Sequence, residues 1–324
     1  MVAPRGRYAP SPTGEIHLGN ASSALLAWLS IRAREGRFVM RMEDLDRNRV
    51  RTGLAEQILE DLAWLGLDWD EGPDCGGAHA PYDQWSRREL YREAFEALRD
   101  RDRLYPCFCS RKDIAAAASA PQTPGEEVRY PGTCRQLSRD DARARIDRGV
   151  RHAWRFHVDP QAPTGFEDLV HGRWDDGTAP GDFVVWRSDE VPAYQLAVVV
   201  DDAAMIIDEV VRGDDLLSST VRQLLLFEAL DYTPPRFGHV PLLLGSDGVR
   251  LSKRHEGTTL RELRQTGFTA EQIVGRLAHA VGVRPNPEPA TVQSLVDGFT
   301  LAAVRPAARG IQVAPRGWSR PMSP

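Results

Sequence analysis

Cysteine is scarce in this chain, four residues in 324, and apolar residues never run together for long. No stretch approaches the roughly 20 apolar residues needed to span a bilayer. The N-terminus, MVAPRGRYAP, lacks the apolar segment of a secretory signal, so a cytoplasmic location without a membrane partner is expected. In that compartment thiols are more often metal ligands, reactive groups or core residues than disulfides. A surplus of positive charge is missing too. The formal net charge of -5 excludes a generally basic nucleic-acid coat, although not a local patch. The length allows one large domain and a smaller one.

What is present first is an α/β rhythm. GRYAPSP reads as a short strand ending in a Pro-broken turn. Ala24, Leu25, Trp28 and Leu29 then recur at helical spacing, with Gly36 expected as a left-handed C-cap. RFVMRMED reads as the next strand, and Leu54, Ile58, Leu59 and Leu62 mark a second helix closed by Gly66. A parallel α/β sheet is the economical outcome. Residues 105 to 190 break the rhythm with a cysteine cluster, an Ala/Pro/Gly-rich loop and the β-like pieces RHAWRFHV and DFVVWR. They read as an insertion between two halves of the sheet. In YQLAVVVDDAAMIIDEVVRG two apolar runs resume the parallel pattern, before a helix from about Leu216 to Leu230 and the strand GHVPLLLG. The expected division is an α/β domain over 1–258, a short helical region over 259–305 and a flexible tail over 306–324.

APSPTGEIHLGN lies where the first strand hands over to the first helix. Ligands bind at the carboxyl ends of such strands, and a helix N-terminus attracts phosphate. There Gly19 lets a bulky ligand approach the backbone and His17 can donate to a phosphate oxygen. A loop with a capping Asn20 and a surface histidine would explain the same letters. Likewise VRLSKRHEG sets Ser252, Lys253 and Arg254 behind the flexible GSDG. That is either a loop that closes on a phosphate or a solvated basic loop. Cys107 and Cys109 in YPCFCSRK, with Cys134 in RYPGTC, leave three readings open. They form a damaged metal site, a disulfide with a spare thiol, or a tetrahedral site with another kind of fourth ligand. Cys75 has no partner in the pattern.

Together, HLGN and LSKR resemble the two nucleotide-binding motifs of class I aminoacyl-tRNA synthetases. RYAPSPTGEIHLGN, RMEDLD, AYQLAVVVDD and EVVRGDDLLSSTVRQLLL are similar, in that order over about residues 5 to 260, to segments of the glutamyl subclass. Only about 70 residues follow Lys253, fewer than the helical anticodon-binding region of a full glutamyl enzyme. The chain therefore resembles the truncated paralogues of that subclass, the glutamyl-Q tRNA(Asp) synthetases. Two letters depart from the class: Asn20 replaces its second motif histidine, and Arg250-Leu251 opens the lysine loop in place of Lys-Met.

The resemblance implies a Rossmann-like class I synthetase catalytic domain with a zinc-containing insertion and a small C-terminal helical region. It implies a monomer that activates L-glutamate with ATP and Mg2+ and transfers it to the queuosine base in the anticodon of tRNA(Asp). Carried over by motif position, His17 and Lys253 are catalytic, and Gly19, Asn20 and Ser252 join them around ATP. Arg7, Ala9, Pro10, Ser11, Glu43, Tyr194 and Arg212 match the contacts to glutamate. That set is chemically apt, because arginine suits a carboxylate and a carboxylate suits the ammonium. The resemblance also assigns Cys107, Cys109, Tyr130 and Cys134 to one structural Zn2+ per chain. Competing readings are a small glutamyl-tRNA synthetase charging the 3′ end of tRNA(Glu), and a non-catalytic glutamate- or nucleotide-binding paralogue. A cytidylyltransferase-like nucleotidyltransferase would share the HxGx logic without needing the glutamate set.

Overall fold

The strand β1 (Arg5–Tyr8) stops just before the Pro10 and Pro12 turn, and α1 (Leu18–Arg32) carries the chain back to β2 (Arg37–Met40). β1 and β2 pair in parallel, as the βαβ pattern predicts. The computed structural model describes residues 3–110, 112–114, 129–245, 248, 251, 259–306 and 310–313. α1 is buried on nearly every side, from Leu18 through Ile31. Gly6 permits that closeness, since a Cβ there would meet Ile31 Cγ1 at 2.3 Å. The left-handed residue after α1 is Glu35, with φ 53°, rather than the expected Gly36. Gly36 is required for a different reason: a Cβ would lie 2.4 Å from the Pro4 carbonyl oxygen. α2 (Leu54–Trp64) ends as expected, at Gly66 with φ 97°.

After α3 (Arg88–Asp100) the chain enters the cysteine-bearing segment through β3 (Leu104–Cys107). α4 (Arg139–Asp147) follows, capped by Ser138, and buries none of its residues. β4 (Ala153–Phe156) pairs antiparallel with β3. β5 (Gly165–Asp168) and β6 (Gly172–Asp175) make a hairpin, and β7 (Phe183–Trp186) returns to pair with β4. Residues 105–190 thus split between two sheets. The β3–β4–β7 sheet stands apart, whereas β5 pairs in parallel with a strand of the main sheet.

The first apolar run of YQLAVVVDD is a helix, α5 (Tyr194–Ala204), where a strand was expected. A short, wholly apolar run carries no periodicity to separate the two, and α5 is buried from Leu196 to Asp202. β8 (Glu209–Gly213), α6 (Leu217–Ala229) and β9 (Arg236–Val240) complete the parallel sheet, in the order β2-β1-β8-β9-β5-β6. Pro241, lacking an N–H, separates β9 from β10 (Leu243–Leu244), so GHVPLLLG is two strands rather than one. Capping boxes at Thr259–Glu262 and Thr269–Gln272 start α7 (Leu260–Gln265) and α8 (Ala270–Ala280). β11 (Ile311–Gln312) pairs with β10, within the stretch expected to be a tail. Ile311 N–H donates to Leu242 O and Val313 N–H to Leu244 O, and the Val313 side chain is buried.

Alternation along the strands covers both faces of the main sheet. Phe38, Met40 and Val211 join a core with α1, α7 and α8, while Val39 and Val210 join one with α3, α5 and α6. No helix among the described residues is long and apolar enough to cross a membrane.

Candidate active site

Crossovers leave β1 towards β2 on one side and β8 towards β9 on the other. The carboxyl ends of β1 and β8 therefore frame a crevice, the usual place for a ligand in an open α/β sheet. A cavity of about 620 Å³ occupies it. Its lining brings together Arg7, Ala9, Pro10, Ser11, Glu43, Tyr194 and Arg212 from four separated segments, with Gly19 and Asn20 at one edge. Asn20 lies inside α1 and is not its cap; His17 holds the N-cap position. His17 lines a neighbouring cavity of about 270 Å³ with Glu15, Arg51 and Thr259. Its backbone bridges to Thr259, the residue that follows the lysine loop. Ser252 and Lys253 themselves lie outside the described residues.

Behind the cavity sits a buried charge cluster. Arg41, wholly buried, donates to Asp202 Oδ1 at 2.8 Å and to Glu43 Oε1 at 3.4 Å. Arg7 donates to both Asp202 oxygens, at 3.2 and 3.3 Å. Burial pushes the Asp202 carboxyl up, yet the Arg7 and Arg41 guanidinium groups outweigh it and hold it below the usual carboxylate range. Glu43 goes the other way: burial raises it and the two arginines only partly compensate. Next to this cluster, Asp201 accepts from Gln84, Arg87 and Tyr91, tying α5 to the start of α3.

Arg212 is placed differently. Its Nε donates to His239 Nε2 at 3.1 Å and its Nη2 to Thr220 Oγ1 at 2.7 Å. His239 Nδ1 in turn lies 2.6 Å from Asp168 Oδ2. Burial lowers the imidazole pKa to about 4 despite Asp168, so the ring is neutral near pH 7. Arg212 is thus a buried cation whose hydrogen-bond partners are uncharged, and its Nη1 has no partner among the described residues. Such a group is costly unless an anion joins it.

Some distance along the chain, Cys107 closes β3 and Cys134 sits on the 3₁₀ turn Thr133–Gln136. The sulfur atoms of Cys107, Cys109 and Cys134 all lie within 4.8 Å of one another, and all are free thiols. Tyr130 Oη lies 3.4 Å from Cys107 Sγ and 3.7 Å from Cys109 Sγ. Three sulfurs and one phenolic oxygen therefore converge on one point, a donor set that suits zinc. Arg155 stacks on the Tyr130 ring at 3.8 Å, and the two line a larger cavity of about 780 Å³.

The family model for the catalytic domain of class I tRNA synthetases (E and Q) matches residues 4–293. The chain belongs to that family. A glutamyl-Q tRNA(Asp) synthetase of Symbiobacterium thermophilum is 53% identical, over 92% of this chain and 93% of its own. One from Nitratidesulfovibrio vulgaris is 47% identical, over 93% of each. Among solved structures, a glutamate tRNA ligase from Elizabethkingia meningosepticum in complex with its amino acid superposes with a TM-score of 0.82. It is 27% identical, and the match covers 97% of this chain and 68% of that one.

The seven residues expected from the motifs to contact glutamate line the cavity of about 620 Å³ in this synthetase, and the residues packed behind them were not among the expected site residues. Arg41 and the Asp201–Asp202 pair carried a usable signal. Arg41 stands two residues before Glu43, and two carboxylates at the end of an apolar run must find cations if they are buried. Asp168 and Thr220 stand among other polar letters, in FEDLVH and LSSTVRQ, and His239 is a lone histidine in FGHVP, so none of them stood out.

Proposed function

We propose that this synthetase activates L-glutamate with ATP as glutamyl-adenylate and transfers the glutamyl group to the queuosine base in the anticodon of tRNA(Asp). The observation that carries the first half is Arg212, a buried cation with uncharged partners on the wall of a cavity. Arg7 offers a second cationic anchor, and Glu43 a carboxylate for the ammonium. The pattern of two cations and one anion is the complement of glutamate. The second half is supported by the names of the two relatives and by their coverage of this chain.

In the mechanism, the glutamate α-carboxylate attacks the α-phosphorus of ATP in line and expels pyrophosphate. No side-chain nucleophile is required, and catalysis is positioning plus charge stabilisation. His17 and the first N–H groups of α1 face the phosphates, with Gly19 and Asn20 along the same edge. Ser252 and Lys253 precede Thr259, which bridges to His17, and Lys253 neutralises charge on the reacting phosphate. Mg2+ enters with ATP. A hydroxyl of the queuosine cyclopentenediol then attacks the activated carbonyl and releases AMP. Cys107, Cys109, Cys134 and Tyr130 would hold a zinc ion, whose contribution is structural: it closes a segment with little apolar surface of its own.

Incubation with labelled glutamate, ATP and tRNA(Asp) tests this reading. Label should appear in tRNA(Asp) only when it carries queuosine. Label in tRNA(Asp) lacking queuosine, or in tRNA(Glu), would favour 3′-end charging and overturn the acceptor assignment.

A further inference from the structure

His239, which holds Arg212 from behind, and Asp168, which holds His239, are not used by the proposed reaction. Asp168 ends β5, His239 lies on the adjacent β9, and Arg212 on β8 beyond it, so the three side chains cross three neighbouring strands. Asp168 Oδ1 accepts the backbone N–H groups of Val170 and His171, each at 2.9 Å. Asp168 Oδ2 faces His239 Nδ1. A carboxylate in that position accepts a hydrogen bond from Nδ1–H, which leaves Nε2 as the acceptor that meets Arg212 Nε–H.

We infer that His239 is a positioning residue that, locked in one tautomer by Asp168, aims the Arg212 guanidinium at a carboxylate of the substrate. The inference rests on the reading of Arg212 as an anchor for glutamate. A neutral acceptor has an advantage over a carboxylate here. It fixes the guanidinium without neutralising it, so the full charge stays available to an incoming anion. A packing role alone would be better served by an apolar ring, because Phe166 and Phe237 already flank the imidazole at 5.7 and 6.3 Å between ring centres. His239 and Asp168 are instead buried polar groups joined at 2.6 Å, on the side of His239 away from Arg212.

Glutamate-dependent ATP–pyrophosphate exchange, run with tRNA(Asp) present, separates the possibilities. His239→Ala should raise KM for glutamate about tenfold or more, the scale of one hydrogen bond to a charged group, and leave KM for ATP within about twofold. His239→Gln, whose amide can accept from Arg212 and donate to Asp168, should restore most of the loss. Asp168→Asn changes no volume. Its oxygen stays with the Val170 and His171 N–H groups, so its NH2 faces Nδ1 and drives the proton to Nε2. That variant should therefore raise KM for glutamate as His239→Ala does, and it decides the matter should His239→Ala fail to fold. Folded variants with unchanged KM for glutamate overturn the inference. So does a parallel loss in kcat and in both KM values, which would mark a packing effect. If the unaltered protein supports no glutamate-dependent exchange, the reading of Arg212 as an anchor falls, and this inference with it.

Discussion

Asp202 is shared by Arg7 and Arg41, so removing its charge leaves two buried cations facing an amide. Breaking a buried ion pair from one side costs about 3–5 kcal/mol, far more than an intact pair contributes. Asp202→Asn should lower the unfolding free energy by an amount in that range, read from the urea midpoint and slope, and it should weaken glutamate binding through the freed Arg7. Unfolding curves and glutamate titration on the same preparation check both effects. At this scale, legibility followed exposure to ligand. Arg7, Glu43 and Arg212 stand in recognisable motifs because they line the cavity. The supports of Arg212 are Thr220, eight residues on in the next helix, and His239 on the next strand, and no local pattern announces contacts of that kind.

Elements were readable where the period was unambiguous. The amphipathic helix over Leu54–Trp64 and the βαβ start follow from spacing alone, whereas α5 did not, since its apolar run fits either a helix or a strand. The insertion illustrates a different difficulty. Its strands β4 and β7 were visible as β-like pieces, but nothing in the letters shows that β5 and β6 leave it for the main sheet. The cysteine turn belongs to the β3–β4–β7 part. Metal analysis should find about one zinc per chain, as a closed Cys₃Tyr set requires. Cys107→Ser should lose that metal and open residues 105–150 to limited proteolysis, while glutamate binding persists. Loss of glutamate binding in parallel with metal would show that the two regions are one unit.

For the whole molecule, stability should depend on acid in a defined window. Burial holds His239 at about 4, below its ordinary 6.5, so between these values the unfolded chain binds the proton and the folded chain does not. Stability therefore falls as pH drops from about 6.5 to about 4, by a ceiling of about 3 kcal/mol. Asp202 adds a lower limb, since a depressed carboxyl contributes fully above about 4 and is lost as pH falls through its native value. His239→Gln should flatten the upper limb. Denaturant titrations at half-unit pH steps, for both proteins, give the difference directly.

The order β8-β9-β5 also bears on any attempt to change the amino acid this enzyme accepts. A protein engineer who randomises the cavity wall would sample Arg7, Glu43 and Arg212 and leave Asp168 and His239 as they are. The retained imidazole would still present an acceptor sized for a guanidinium. A shorter or neutral side chain at 212 would leave that acceptor with Thr220 Oγ1 alone, at 3.0 Å. Selectivity is here the property of a row of three strands, and the two residues farthest from the ligand belong in the library.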